Sequence, residues 1–194
     1  MNIATKYRAS SPLTLWIAGF FCLCLQATAG AAIPIQHWTQ PGGAQVYLVD
    51  SPAIAMLDVQ IDFDAGTRRD PAAQAGLASI TTIMLDKGLE AKNGEPAMDE
   101  NALSEAWADL GALFGASATG ERLGFSLRSL TDPELLDKAV ALAARQIAEP
   151  SFPSAILQRE RERMVASIKE SYTRPGSIIA RAYAKAVYGT HPYG

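Results

Sequence analysis

Apolar and polar positions along the chain predict short strands and longer helices. Within residues 76–88, the apolar side chains of Leu77, Ile80, Ile83 and Met84 recur at the spacing of a helix that buries one face. The full pattern predicts strands over 44–49, 56–63, 113–119 and 123–130, a helix that begins near 73, and helices over 99–110, 132–149, 154–172 and 177–188. This order predicts an α+β fold, with a mixed or antiparallel sheet and helices packed on one of its faces.

Capping residues support several of these boundaries. Asp99 and Asp132 are suitable N-caps, and Pro133 is suited to the first turn of the helix that follows Asp132. Gly111 supplies a stop after the helix over 99–110.

The N terminus has the pattern of a secretory signal peptide. Lys6 and Arg8 precede an apolar run over 13–25, followed by an Ala-x-Ala-like cleavage signal. We expect cleavage after Ala29 or Ala31. The run is shorter than the ~20 residues of a membrane span, although an uncleaved leader that anchors the protein is an alternative.

The predicted mature protein, residues 32–194, has the length of one ordinary domain. Cys22 and Cys24 both lie in the leader, so the mature part has no cysteine and tolerates an oxidising compartment. We therefore predict export to a bacterial periplasm. The net charge of the chain is −3, which gives no electrostatic footprint for nucleic acid.

Five short motifs follow one another along this mature region. They are Asp-Ala-Gly-Thr-Arg-Arg-Asp over 64–70, Gly-Leu-Ala-x-x-x-x-x-Met-Leu-x-Lys-Gly over 76–88, Leu-Gly-Ala over 110–112, Glu-Arg-Glu-Arg over 160–163 and Tyr-Gly-Thr-His-Pro-Tyr-Gly over 188–194. Their order and spacing resemble the N-terminal domain of the insulinase/pitrilysin metallopeptidases, family M16. The resemblance covers residues 36 to 194. It implies that this domain is incomplete at its C-terminal end, because family members continue further and then add a second, similar domain.

The resemblance also locates the zinc site of the active relatives, which read Gly-Leu-Ala-His-x-x-Glu-His. Here the two His positions hold Ser79 and Ile83, and the Glu position holds Thr82. Catalytic zinc needs about three nitrogen, oxygen or sulfur ligands and an open position for water. Neutral hydroxyls are poor ligands, and Ile83 has no lone pair. The chain has only two histidines, His37 and His191, which are far apart in sequence and in no ligand spacing.

The family's third ligand is a Glu on a later helix. Counting back from Pro175 places Ser167 at that position, and a register with an insertion offers Glu162 or Glu170 instead. One carboxylate cannot hold the metal, so we predict no metal, no zinc cofactor and no catalytic residue. The Glu-Arg-Glu-Arg run over 160–163 is predicted to be a solvated helix face.

The resemblance implies a substrate strand as well. In active relatives the strand that matches Leu113, Phe114, Gly115, Ala116 and Ser117 is an exposed edge that pairs with the substrate backbone. Gly115 replaces the family's Asn, which removes a side-chain contact and leaves backbone pairing intact. An ordinary packed strand is the alternative interpretation.

These features predict a catalytically inactive M16 homologue. Its expected role is that of a partner subunit, which completes the peptide-binding chamber of an active zinc peptidase and helps to hold an unfolded peptide. An active metalloendopeptidase with an atypical site and a stand-alone peptide-binding module are the alternatives.

Overall fold

The computed structural model describes residues 33–191 and Tyr193. The predicted leader, with both cysteines, lies outside the described residues. The chain separates into two compact units, which meet in sequence between Ile54 and Ala55. No helix within the described range is both long enough and apolar enough to cross a membrane.

The first unit contains an antiparallel hairpin. Strand β1 (Ile35–Thr39) pairs with β2 (Gln45–Val49). The connection between them includes Gly43 at φ +87°, a left-handed conformation that glycine adopts without steric strain. The hydrophobic pattern predicts β2 but misses β1, because the apolar side chains of Ile35 and Trp38 do not alternate.

The second unit is built on a three-stranded antiparallel sheet. Strands β3 (Met56–Phe63), β6 (Leu113–Ala118) and β7 (Leu123–Leu130) lie in the order β3-β7-β6. The central strand places Leu127 between Val59 of β3 and Phe114 of β6. The predicted limits of all three strands agree with the structure to within one residue.

The two faces of this sheet differ in exposure. Along β7, Phe125, Leu127 and Ser129 are buried, whereas Ser126 and Arg128 are exposed. Successive side chains of a strand point to opposite faces. We call the face with Leu127 the inner face and the face with Arg128 the outer face.

Five helices and a short strand pair complete this unit. They are α1 (Leu77–Met84), β4 (Gly88–Leu89), β5 (Met98–Asp99), α2 (Glu100–Asp109), α3 (Pro133–Ala148), α4 (Ser154–Ser171) and α5 (Pro175–Tyr188). Strands β4 and β5 pair antiparallel and were not predicted, because each is only two residues long.

Helix α3 covers the inner face of the sheet. Ala139 and Ala143 of α3 form a buried cluster with Leu127 and Ala112, and the aromatic ring of Phe114 packs against it. Small alanine side chains let the helix approach the sheet closely. The arrangement confirms the predicted α+β fold.

The predicted caps are also confirmed. The Asp99 carboxylate accepts a hydrogen bond from the backbone N–H of Ala102 at 2.8 Å. The Asp132 carboxylate accepts from the N–H groups of Glu134 and Leu135, and Pro133 is the first residue of α3.

Candidate functional site

Helix α1 begins where a bend in the backbone and a carboxylate fix its start. Gly76 precedes it at φ +95°, so the helix starts at Leu77 and not near residue 73, as the sequence had predicted. The Asp70 carboxylate accepts hydrogen bonds from the backbone N–H of Gly76 at 2.8 Å and of Ala78 at 3.1 Å. A carboxylate in this place satisfies N–H groups that have no partner inside the helix and interacts favourably with the helix dipole.

Helix α1 carries Ser79, Thr82 and Ile83, the three residues that the sequence predicts at the His, Glu and His positions of the motif. Thr82 is 9% exposed, and its hydroxyl donates a hydrogen bond to the backbone carbonyl of Ser79 at 2.9 Å. Ile83 is 37% exposed and presents only hydrocarbon. The neighbouring Met84 is fully buried and anchors the helix in the core. The hydroxyl of Thr82 is therefore committed to the helix backbone.

Ser167 lies on α4, on an exposed part of that helix. The α4 side chain beside the start of α1 is Met164, whose sulfur is 3.6 Å from the point that a Cβ on Gly76 would occupy. Ser167 follows Met164 by one turn. Its equivalence to the third ligand position stays a prediction.

The two alternative carboxylates on α4 each have a polar partner four residues away in sequence. Glu162 accepts a hydrogen bond from the Gln158 amide at 2.7 Å. Glu170 forms an ion pair with Arg174 at 2.5 Å. Both carboxylates are exposed.

Glu160 is the buried carboxylate of this helix, and the prediction of a solvated face over 160–163 is wrong for it. Its side chain is 4% exposed, and its two oxygens accept hydrogen bonds from Arg159 and Arg163, each at 3.0 Å. It lies one turn before Met164, on the side of α4 that packs inward. The sequence could not distinguish Glu160 from Glu162, because both occur in the same alternating run of charges.

The donor set around α1 does not fit a catalytic metal. Hydroxyl, hydroxyl and branched hydrocarbon replace the two imidazoles and the carboxylate that such a site uses. Over residues 33–191 and Tyr193, no group of three His, Cys, Asp or Glu side chains lies close enough together to hold a metal ion.

Both histidines have other contacts. His37 Nε2 is 2.8 Å from Gln45 Oε1, and its ring stacks on Tyr47 within the first unit. His191 packs its ring against Tyr188 and Tyr193 near the end of the chain.

A buried amide connects α1 to the helices that support the sheet. Gln146 of α3 is 1% exposed, and its Oε1 accepts a hydrogen bond from the Trp107 indole at 2.8 Å. Its Nε2 donates to the carboxylate of Asp86 at 2.9 Å and to the carbonyl of Leu85 at 3.3 Å. The Trp107 ring in turn stacks on Phe114 of β6, with ring centroids 5.6 Å apart. The segment after α1 and the strand β6 are thus held by one polar and aromatic network.

Strand β6 is an edge of its sheet: within the described part of the second unit it pairs with β7 alone. The backbone N–H of Thr119 donates to the carbonyl of Arg122 at 2.8 Å, so these two residues form a hydrogen-bonded pair next to the β6–β7 ladder. On the other side of β7, the N–H of Thr131 donates to the carbonyl of Ala55 at 3.1 Å. Bonded and non-bonded pairs alternate in an antiparallel ladder. The N–H and C=O groups of Phe114, Ala116 and Ala118 therefore point away from β7, toward the open edge.

A depression of about 350 Å³ lies on the outer face beside β6. Leu113, Gly115, Ser126 and Arg128 contribute to its lining. The Arg128 guanidinium donates hydrogen bonds to the Asp58 carboxylate at 2.6 and 3.1 Å, which lowers the pKa of Asp58 and raises the pKa of Arg128. This pair is charged on both sides at neutral pH and holds the guanidinium at the rim.

Two carboxylates near the end of α1, those of Asp86 and Glu100, have pKa values shifted in opposite directions. Burial raises the pKa of Asp86, although part of that residue is exposed. The hydrogen bond from Lys87, at 2.5 Å, lowers the pKa of Glu100.

Comparison with known proteins gives one family match. The model of insulinase, peptidase family M16, matches residues 45–194. No curated protein matches the chain significantly.

Three solved structures are similar to the chain. The peptidase M16 inactive domain from Pseudomonas fluorescens matches with a TM-score of 0.74 and 33% identity, over 82% of this chain and 37% of that chain. Pitrilysin matches with a TM-score of 0.63 and 26% identity, over 85% of this chain and 17% of that chain. A protease from Helicobacter pylori matches with a TM-score of 0.66 and 18% identity, over 84% of this chain and 37% of that chain, a likeness of fold alone. The chain therefore spans well under half the length of these relatives.

Proposed function

The chain belongs to peptidase family M16, and we propose that it is a catalytically inactive member that binds extended peptides at β6 and acts as the partner subunit of an active zinc peptidase. The observation that carries the proposal is the contrast between α1 and β6. The helix lacks the two histidines and the glutamate that the motif of the active relatives places on it, whereas the strand keeps an open hydrogen-bonding edge.

The chemistry of α1 supports the loss of catalysis. A catalytic zinc lowers the pKa of its bound water from 15.7 to about 7, and a nearby carboxylate moves the proton. Neither Ser79 nor Ile83 can replace an imidazole, and Thr82 has no carboxylate and already donates its hydroxyl hydrogen to Ser79. The similar structure from Pseudomonas fluorescens is described as an inactive domain, which agrees with this assignment.

The geometry of β6 supports peptide binding. An extended peptide can add to a sheet edge through backbone hydrogen bonds, and Phe114, Ala116 and Ala118 direct their backbone groups to that edge. The stacked rings of Trp107 and Phe114 and the covering helix α3 hold the strand in place. Backbone pairing does not require the Asn side chain that Gly115 replaces.

The partner role rests on the exposed surface of the last helix. Ile179, Tyr183 and Val187 of α5 are each more than half exposed, at 67%, 67% and 54%. Contiguous apolar surface of this kind is typical of protein–protein contact sites. A zinc-bearing subunit of the same family would supply the metal site that this chain lacks. The predicted leader is consistent with export to the periplasm, where both subunits would meet.

Metal and activity measurements test the proposed loss of catalysis. The purified protein is analysed for zinc by elemental mass spectrometry and incubated with unfolded peptides, and an active M16 peptidase prepared in the same way serves as the positive control. We expect no stoichiometric zinc and no cleavage that a chelator inhibits. Stoichiometric zinc together with chelator-sensitive cleavage would show instead a metallopeptidase with an atypical site.

Co-purification tests the proposed role as a partner subunit. The tagged protein is recovered from the periplasm of its native host, and the bound proteins are identified by mass spectrometry. We expect a complex with a family member that reads Gly-Leu-Ala-His-x-x-Glu-His. Recovery of a peptide-binding protein with no such partner would favour a stand-alone binding module.

A further inference from the structure

The outer-face depression beside β6 suggests which peptides the edge prefers. We propose that this depression, floored by Gly115, receives an aromatic side chain from the peptide that pairs with β6. The inference rests on the proposed peptide binding and adds the chemical class of the side chain that is selected.

The register of the sheet determines where the peptide side chains point. Phe114 and Ala116 direct their backbone groups to the open edge, so a peptide strand would hydrogen-bond at those positions. Side chains of directly opposite residues lie on the same face of a sheet. The peptide residue opposite Gly115 therefore places its side chain on the outer face, over the depression.

Gly115 leaves room for that side chain. Gly115 has no side chain of its own, and the point that a Cβ would occupy lies 3.0 Å from the hydroxyl oxygen of Ser126, its partner on β7. The Ser126 hydroxyl therefore borders the bare backbone on the β7 side, and a ring from the peptide would cover it from the open edge. Glycine in a strand is destabilising because it packs nothing, and an aromatic residue on the neighbouring strand compensates by covering it. The missing side chain here creates a place for one supplied by the peptide.

The lining of the depression favours an aromatic ring over other side chains. Leu113 precedes Gly115 by two residues on the same face and is 68% exposed, so it offers an apolar wall. The Arg128 guanidinium is held at the rim by Asp58, and a fixed guanidinium stacks well on an aromatic face. An acidic side chain would meet the Asp58 carboxylate, and a small one would leave the backbone of Gly115 uncovered.

Peptide binding measured by fluorescence anisotropy tests the proposal. The probes are labelled Thr/Ala peptides of six residues, the length of β6, with either Phe or Ala at one central position. Cross-strand aromatic pairs contribute up to ~1 kcal/mol, so we expect the Phe peptide to bind about threefold to fivefold more tightly. Gly115→Val fills the depression and should abolish the preference. Gly176→Val makes the same change on α5, where an added Cβ meets nothing within 4 Å, and should preserve it.

Photo-crosslinking of the wild-type protein provides a second readout that does not depend on the folding of a variant. A benzoylphenylalanine at the same central position should attach to Leu113, Ser126 or Arg128, as mapped by mass spectrometry. Equal binding of Phe and Ala peptides, or attachment to the inner face, would overturn the aromatic preference and leave strand pairing in place. If the peptides do not bind, or bind without using the N–H groups at the open edge of β6, the proposed peptide binding itself is overturned. The aromatic preference is then overturned with it.

Discussion

Helix α1 matches the zinc-site helix of the active relatives, and strand β6 matches their substrate strand. The sequences of these two elements depart from the family motif to different extents. On α1, Ser79 and Ile83 stand where the family motif has its two histidines and Thr82 stands where it has its glutamate, while the helix itself stays well anchored by buried residues. On β6, the replacement at Gly115 removes one side chain and leaves the open backbone edge. A few substitutions are enough to remove chemistry that depends on side chains, whereas hydrogen bonding that depends on the backbone does not require any particular side chain.

The variant Met84→Ala tests whether α1 serves to stabilise the fold, and it has the largest expected effect. Met84 is fully buried, and truncating a buried methionine to alanine typically costs 2–5 kcal/mol, so we expect a loss of about 2–5 kcal/mol in the free energy of unfolding. Ile83→Ala is the matched control on the exposed face and should cost clearly less. Urea denaturation measures both. Equal losses for the two variants would mean that Ile83 is packed against something that covers it.

The matching test of β6 is Ala116→Pro. Proline removes the one backbone N–H that points to the open edge at this position, and edge strands tolerate such a proline. We expect peptide affinity to fall by about tenfold or more, which corresponds to ~1.4 kcal/mol. The midpoint of thermal unfolding should change little. A folded variant with undiminished affinity would mean that peptides bind elsewhere.

A smaller effect is expected at Asp70, which fixes the start of α1. Asp70→Ala leaves the N–H groups of Gly76 and Ala78 without their acceptor, and losses of this kind are typically about 0.5–2 kcal/mol. Asp132→Ala, which removes the cap of α3, is a comparable change at the start of another helix. Peptide affinity at β6 should persist in both variants once they are folded.

The smallest effect concerns Asp86, whose pKa is raised by burial. A carboxyl with a raised folded-state pKa favours the folded state below its unfolded pKa of ~3.9 and loses that contribution as the pH rises through the folded value. Asp86→Asn keeps an acceptor for the Gln146 amide and cannot ionise. The variant should match the wild type near pH 3 and be slightly more stable at pH 7. Thermal unfolding at both pH values measures the difference, and a variant less stable at pH 7 would contradict it.

The sequence predicted much of this fold because local signals were strong. Asp99, Asp132 and Pro133 marked helix starts that the structure confirms. The sequence predicts a start near 73 for α1, which is four residues too early, because nothing in the sequence shows that Gly76 adopts a left-handed conformation beside Asp70.

The candidate site was less accessible from the sequence. The positions of Ser79, Thr82 and Ile83 followed from the family motif alone, because a helix of hydroxyl and apolar residues has no chemical signal of its own. Burial of Glu160 depends on how α4 packs, which a run of alternating charges does not show. The depression beside Gly115 depends on the register between β6 and β7, which is a property of the folded sheet.

The composition of β6 has a further consequence for the protein in solution. Its six residues include no charge and no proline, the two devices that commonly prevent edge strands from pairing with one another. At high concentration a second copy of the chain can occupy the same hydrogen-bonding groups, and uncharged strands of this kind seed aggregates. The open edge on which the proposed peptide binding depends therefore also makes self-association a hazard, one that an occupied edge would suppress.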